Sequence, residues 1–258
     1  MTSVAVRVFE VSARAYRRTW KGTAVSTFLS PVLFLTAMGL GLGTLVNRNA
    51  GLDSLDGLSY ISFLAPGLLA ANAMETGASQ SAWPVMAGIK WLKTYHAALA
   101  TPVGVRDLVA GNLAWTAARL AMGAVVFEVI SALFGAIPLG AGMLAVLPAI
   151  LTGLAFAAPV TAYTARSDEE ARLTTLFRFG IMPMFLFSGT FFPVSQLPGW
   201  LQPVAYATPV WHGVELCRVV ALGTASSWPL AAHVLYLVAW MVAGWFFAVR
   251  YLEARLKP

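Results

Sequence analysis

Residues 179–214 read FGIMPMFLFSGTFFPVSQLPGWLQPVAYATPVWHGV and contain no Asp, Glu, Lys or Arg. As one helix these 36 residues would be about 54 Å long, whereas about 20 residues suffice to cross the hydrocarbon core of a bilayer. Five prolines interrupt the stretch: Pro183, Pro193, Pro198, Pro203 and Pro209. Because proline removes a backbone donor and clashes with the preceding turn, we expect the helix to stop near Phe192. The remainder is too apolar for a solvated loop, so we predict a short re-entrant hairpin within residues 192–228.

The composition of the whole chain is that of a membrane protein. Of its 258 residues, 59% are hydrophobic and 11% are charged, and the mean hydropathy is +0.73. Soluble domains carry about 25% charged residues, so this chain has too few charges to cover a water-exposed surface. We therefore interpret residues 1–258 as a single all-α, multi-pass membrane domain.

Six charge-poor segments are long enough to span a bilayer, which places both termini on the same side. They are Val25–Val46, Leu58–Met74, Leu108–Phe134, Met143–Ala165, Leu173–Phe191 and Leu230–Val249. With the termini in the cytoplasm, 14 of the 17 basic residues lie on the cytoplasmic side. These are Arg7, Arg14, Arg17, Arg18, Lys21, Lys90, Lys93, Arg106, Arg166, Arg172, Arg178, Arg250, Arg255 and Lys257. The asymmetry fixes the orientation by the positive-inside rule and explains the net charge of +6 without nucleic-acid binding.

Two amphipathic segments are predicted on the cytoplasmic side. In residues 1–21 the basic residues share one helical face, which is typical of a helix lying along the membrane interface. In residues 84–101, Trp83-Pro84 and Thr101-Pro102 are expected to bound a second helix, too polar to cross and too apolar to be merely solvated. A soluble partner could grip this second helix to move the bundle, although simple docking on the membrane surface is the alternative. Its candidate coupling residues are Lys90, Trp91, Lys93, Thr94 and Tyr95.

Arg119 and Glu128 fall inside the third predicted span, and Glu75 lies near the cytoplasmic end of the second. Such charges are costly unless they are paired or face a wet cavity. Arg119 and Glu128 are nine residues apart and lie on roughly opposite helix faces, so we expect Arg119 to pair with Glu75 instead. A role in substrate binding or conformational change is the alternative. An ion-coupled secondary transporter that uses these three residues is the competing functional hypothesis.

Aromatic residues in the spans are candidates for an apolar route. Phe28, Phe34, Phe191, Phe192 and Pro193 are the residues we assign to a substrate path or gate. Packing and lipid contact are the alternatives for each aromatic side chain. The hairpin after Phe192 is expected to act as an outer gate or as packing between subunits.

Enzyme functions find little support in the residues. The chain has no G-x-x-x-x-G-K-[ST] motif, so any ATP must be bound by another polypeptide. Its three histidines are dispersed along the sequence, and no metal-binding spacing occurs. Ser188 lacks the glycine two residues earlier that an intramembrane serine protease would need, and the single Cys217 excludes an intrachain disulfide.

Three segments carry a resemblance to a known family: KTYHAALATP at 93–102, VRDLVAGNLAW at 105–115, and LFSGTFFPVSQLPGWLQPVAYATPVWHGVELCR at 186–218. They resemble the ABC-2-type permeases, in particular the nodulation-protein-J branch of lipo-oligosaccharide exporters, with daunorubicin-resistance permeases as relatives. The resemblance covers nearly the whole chain. It implies six transmembrane helices with an N-terminal interface helix, a coupling helix and an extracellular hairpin.

The same resemblance implies partners and a location. Two such permeases, identical or sister subunits, would pair in the bacterial inner membrane, and each would bind a separate ABC ATPase. ATP and Mg²⁺ would then belong to that ATPase, and this chain would hold no cofactor and no metal. The exported substrate would be amphipathic or hydrophobic, with lipo-oligosaccharide, glycolipid and drug all open.

Overall fold

The structure is a computed structural model that describes residues 4–49 and 57–256, with only the backbone described at 26 and 47–49. Every regular element in these ranges is helical. The α-helices are α1 (Val4–Phe34), α2 (Gly43–Asn49), α3 (Tyr60–Met86), α4 (Thr94–Leu99), α5 (Val105–Leu133), α6 (Leu139–Arg166), α7 (Glu170–Leu176), α8 (Met182–Phe187), α9 (Gln202–Tyr206), α10 (Pro209–Leu222) and α11 (Leu230–Leu256). Three π-helices (Leu35–Leu42, Ala87–Trp91 and Phe177–Ile181) and one 3₁₀ helix (Val194–Gln196) lie between them.

The N-terminal arm is the beginning of the first long helix. The predicted boundary between an interface helix at 1–21 and a separate first span is wrong over the described residues, because α1 runs without a break into the π-helix and α2. Gly22 is the weakest helix former at that boundary, and a single glycine does not end a helix. The arm packs on α5, with the rings of Phe9 and Tyr16 meeting Trp115 edge-on at 5.6 and 5.5 Å.

The centre of the bundle is α6, which packs against α3, α5, α10 and α11. The crossing of α3 and α6 is close because Gly77 faces Gly153, and a Cβ on Gly77 would collide with the carbonyl of Gly153. Small residues at such a crossing let two helices approach closely in a membrane protein. The largest cluster of buried apolar side chains surrounds this contact.

The region after the predicted fifth span differs from the expectation in two ways. The helix ends at Phe187, not near Phe192, because the chain turns at Gly189, whose φ of 81° suits glycine. The segment predicted as a hairpin at 192–228 contains the 14-residue helix α10, which begins at Pro209 and ends before Gly223 in the left-handed conformation. Most of α10 is buried against α3, α6 and α11. Its depth in the membrane remains a prediction.

Four helices in the described ranges are long and apolar enough to cross a membrane: Val4–Val46, Val105–Leu133, Leu139–Arg166 and Leu230–Leu256. These match four of the six predicted spans. The other two predicted spans fall on α3 and on the run from α7 to α8. Both of these segments carry polar or charged side chains within their length, such as Glu75 and Arg178. The full six-span topology therefore stays a prediction.

Candidate coupling surface and intramembrane cavities

The predicted coupling helix at 84–101 is two elements joined by a bend. The expectation that Trp83-Pro84 ends a helix is wrong, since α3 continues through Pro84 and then as a π-helix to Trp91. Helices of membrane proteins tolerate internal proline because local π adjustments and neighbouring groups satisfy the freed carbonyls. The chain bends instead at Lys93, whose φ is 51°, and α4 follows. We call residues 90–95 the elbow.

The elbow presents an apolar tip between basic residues. Trp91 and Leu92 are 53% and 69% exposed, and their neighbours Lys90, Lys93 and Thr94 are also exposed. Tyr95 points inward and is buried, and burial raises the pKa of its phenol. Asn112 Nδ2 on α5 donates a 2.6 Å hydrogen bond to the Tyr95 hydroxyl. Four of the five predicted coupling residues therefore face outward, and the fifth attaches the elbow to α5.

A second set of contacts braces the elbow from the other side. The Lys90 ammonium donates to the backbone carbonyl of Asp168, in the turn between α6 and α7. Arg255, near the end of α11, donates to the carbonyls of Ala165 and Ser167 at 2.7 and 2.8 Å and forms a 3.0 Å ion pair with the Asp168 carboxylate. These carbonyls belong to the end of α6, where backbone acceptors lack partners within the helix. The end of the bundle that holds the elbow, this turn and Arg255 is called the inner end below.

A polar cavity of about 350 Å³ lies between α1, α3 and α5. Its polar lining includes Thr27, Ser30, Asn72, Glu75, Thr76, Ser79, Gln80 and Arg119. A neighbouring cavity of about 460 Å³ shares Gln80 and Arg119 and extends to Thr94 and Tyr95. The two cavities adjoin at Gln80 and Arg119, and their linings extend from the elbow to Glu75; we call the pair the polar route.

The three intramembrane charges are arranged differently from the prediction. Glu75 and Arg119 line the same cavity, but the expected ion pair between them is not formed. The Arg119 guanidinium instead lies over the ring of Tyr16, 4.3 Å from its centroid. Glu128 is 1% exposed and apart from both, with its carboxylate against Gly142 of α6 and no hydrogen-bond partner among the described residues. Packing of α1 on α5 brings Tyr16 to Arg119, which the sequence pattern did not indicate.

An apolar cavity of about 510 Å³ lies at the opposite end of the molecule, between the first helix and the segment after α8. It brings together Phe191, Phe192 and Pro193, three of the predicted path or gate residues. Phe34 connects to this group through Phe185. The centroid of the Phe185 ring lies 6.2 Å from that of Phe34 and 5.5 Å from that of Phe191. Phe28 does not line the cavity and is 54% exposed.

One buried polar pair was missed by the sequence reasoning. The histidines are dispersed along the sequence, but the fold brings His212 and His233 together, with their Nδ1 atoms 2.9 Å apart in a buried hydrogen bond between α10 and α11. The second ring nitrogen of His233 lies 3.1 Å from the Ser226 hydroxyl, and His212 stacks on Tyr236 with ring centroids 4.0 Å apart. The two histidines are 21 residues apart on different helices, so no helical periodicity in the sequence indicates that they meet. His96 remains exposed on α4.

Comparisons with known proteins identify related sequences. The model of the ABC-2 type transporter family matches residues 7–222. Nodulation protein J of Rhizobium meliloti (strain 1021) is 33% identical over 93% of this chain and 90% of that protein, and nodulation protein J of Sinorhizobium fredii (strain NBRC 101917 / NGR234) is 32% identical over 92% and 89%.

A more distant relative is the inner membrane transport permease YadH of Escherichia coli (strain K12). It is 24% identical over 88% of this chain and 86% of that protein. The family match covers most of the chain, including the elbow, both polar cavities and the segment after α8. The chain therefore belongs to the ABC-2 type transporter family of membrane proteins.

Proposed function

We propose that this chain is the permease subunit of an ATP-driven exporter, which moves an amphipathic or hydrophobic substrate outward across the bacterial inner membrane. The observation that carries the proposal is the elbow, where exposed Trp91 and Leu92 stand on a base fixed to α5, α6 and α11. An exposed aromatic and aliphatic tip with flanking cations is typical of a contact with another protein. In the proposed orientation, both termini and the elbow lie in the cytoplasm.

The proposed source of energy is a separate ABC ATPase that binds ATP and Mg²⁺. The chain itself carries no G-x-x-x-x-G-K-[ST] sequence. Two permeases would pair, either two copies or this chain with a sister subunit, and each would contact one ATPase at its elbow. A ligand-driven cycle does work only through contacts that differ between two states. The elbow is where we place those differential contacts.

The contacts of the elbow define how motion would spread through the bundle. Displacement of Trp91 would reach α5 through the bond from Asn112 to Tyr95, and α6 and α11 through Lys90 and Arg255. Packed helices transmit displacement because they are close-packed and resist compression. Helix α5 also lines the polar cavity, so the proposed coupling element and the proposed substrate route share one helix.

The two kinds of cavity support an amphipathic substrate. The polar route that contains Glu75 and Arg119 suits a polar head, and the apolar cavity at Phe191, Phe192 and Pro193 suits an acyl or aromatic part. We assign Phe34 to the edge of that apolar path and Phe28 to its lipid-facing side. A lipo-oligosaccharide, a glycolipid and a hydrophobic drug all meet this description.

The test is substrate export by the permease reconstituted with its ATPase. Replacing Trp91 and Leu92 by Ala should abolish ATP-dependent export and co-purification of the ATPase while the permease stays inserted. Trp200→Ala is the matched control, because Trp200 is 76% exposed but lies in the segment after α8. Normal export by the double variant would contradict the proposal. Export without ATP that depends on Glu75 and Glu128 would favour the ion-coupled alternative, which is supported by the buried Glu128 carboxyl because no described residue forms a hydrogen bond with it.

A further inference from the structure

A groove of about 500 Å³ runs along the contact between α6 and α11 at the inner end. It lies on the outer side of the bundle, away from the polar route between α1, α3 and α5. Both of its walls are helices long and apolar enough to cross a membrane. The groove therefore faces the surroundings of the domain at the level where those helices end.

The inner part of the groove is basic and aromatic. Arg166 and Arg172 line it, and both side chains are exposed. The Arg166 guanidinium lies over the Tyr251 ring, 5.0 Å from its centroid, so the edge of the guanidinium stays available for an acceptor. Tyr163 donates a 3.3 Å hydrogen bond to the carbonyl of Arg172, which holds the start of α7 against α6. Two guanidinium groups on a fixed frame match a phosphate.

The outer part of the groove is apolar. Trp240 and Phe247 of α11 are 43% and 45% exposed and form one wall. The floor is smooth where Gly244 contacts Pro159, since a Cβ on Gly244 would collide with the proline ring. From Trp240 to Tyr251 the groove follows 12 residues of helix, and the 11 steps between them span about 16 Å at 1.5 Å per residue. This length accommodates a headgroup and the upper part of an acyl chain.

We propose that this groove binds an anionic phospholipid of the inner leaflet, with its phosphate at Arg166 and Arg172 and its acyl chain along Trp240 and Phe247. Basic pockets between transmembrane helices on the cytoplasmic side take such headgroups, and tryptophan and tyrosine sit at the membrane interface. Among the described residues, the groove lining contains no carboxylate. A continuous apolar wall beside the cations fits a lipid better than free phosphate, which would have no use for that wall.

The proposed lipid site adjoins the brace of the elbow. Ser167 lines the groove, and its carbonyl accepts a hydrogen bond from Arg255. The neighbouring Asp168 carbonyl accepts from Lys90. A bound lipid would thus stabilise the same turn that supports the elbow, which makes the lipid a structural ligand of the inner end.

The experiment is native mass spectrometry of the purified protein with phosphatidylglycerol or phosphatidylcholine of identical acyl chains. The unaltered protein should retain phosphatidylglycerol preferentially, and the R166Q/R172Q variant should lose about tenfold or more of that affinity. The R166K/R172K variant keeps the charges but loses the planar guanidinium groups, so its affinity should lie between those of the unaltered protein and the R166Q/R172Q variant. Arg250→Gln is the matched control, since Arg250 is exposed on α11 but does not line the groove.

Three results would overturn the proposal. Equal retention of the two lipids by the unaltered protein would show that the groove does not select anionic lipid. Undiminished retention by a folded R166Q/R172Q protein would place the lipid elsewhere. Displacement of phosphatidylglycerol by inorganic phosphate alone would identify the groove as an anion site in which the apolar wall plays no part.

Discussion

Asn112 Nδ2 donates a hydrogen bond of 2.6 Å to the hydroxyl oxygen of Tyr95, and this bond fixes the elbow to α5. Tyr95 is the inward-facing member of a segment whose other side chains face outward. We propose that this bond separates two tasks within six residues: the exposed residues contact a partner, and Tyr95 passes their displacement to the bundle. Predictions about the elbow follow from this division.

Tyr95→Phe should impair coupling more than stability. The change removes one hydrogen bond and leaves the Asn112 donor without this partner, which lowers the free energy of unfolding by about 1–3 kcal/mol. We expect the ATPase of the complex to keep hydrolysing ATP while export falls. Tyr236→Phe is the matched control, because it removes a 2.6 Å bond to the Ala207 carbonyl at the opposite end. Equal losses of export in both variants would show that the Tyr95 bond has no special role in coupling.

Arg255→Ala should loosen the turn between α6 and α7. The variant loses three hydrogen bonds to backbone carbonyls and the ion pair with Asp168, and each hydrogen bond from a charged donor contributes about 1.5–3 kcal/mol. We expect a lower melting temperature and faster trypsin cleavage after Arg166 and Arg172. Arg250→Ala, on the same helix, should change neither property. Unaltered cleavage in the Arg255 variant would mean that the brace is not needed to hold the turn.

Gly77→Leu should prevent correct packing of α3 on α6. Even a Cβ at this position would collide with the backbone of Gly153, which cannot move away as a flexible side chain can. Overpacked substitutions typically cost about 1–3 kcal/mol, and a backbone clash is at the upper end. Gly140→Ala is the control, because a Cβ there meets no atom within 4 Å. Size-exclusion profiles and melting temperatures of the detergent-solubilised proteins make the comparison, and a normal Gly77→Leu profile would contradict the observed crossing.

His233→Leu should weaken the contact between α10 and α11. It leaves the Nδ1 atom of His212 buried without this partner, which lowers the free energy of unfolding by about 1–3 kcal/mol. A buried pair of this kind should show coupling, so adding His212→Leu should restore part of the loss and not double it. The melting temperatures of the two single variants and the double variant form the cycle. Strict additivity would indicate that the two rings do not interact in the folded protein.

Helical character and membrane location could be predicted because composition acts over whole segments, and the family was predicted from the resemblance of three sequence segments. Local boundaries were harder. The sequence places a proline at 84, where a soluble helix would end, but the helix continues there and bends at Lys93, where no glycine or proline marks the position. Similarly, the helix of the fifth predicted span, α8, ends because the chain turns at Gly189, four residues before Pro193.

Contacts between distant segments were the least predictable part of the site. Whether Arg119 meets Glu75 or Tyr16 depends on the position of α1 relative to α5, which no single helix specifies. The His212–His233 pair likewise depends on how α10 and α11 pack. The predicted coupling residues are adjacent in sequence, so their closeness in space could be predicted without knowing how the helices pack.

The central claim is that a separate ATPase grips the elbow. The most direct measurement places the photoreactive residue p-benzoylphenylalanine at position 91 or at position 200 and irradiates membranes that contain the permease with its ATPase. Both native side chains are exposed tryptophans, so the substitutions are matched in size and accessibility. We predict a crosslink to the ATPase from position 91 and none from position 200. Absence of a crosslink at position 91, or equal crosslinking at both positions, would contradict the account.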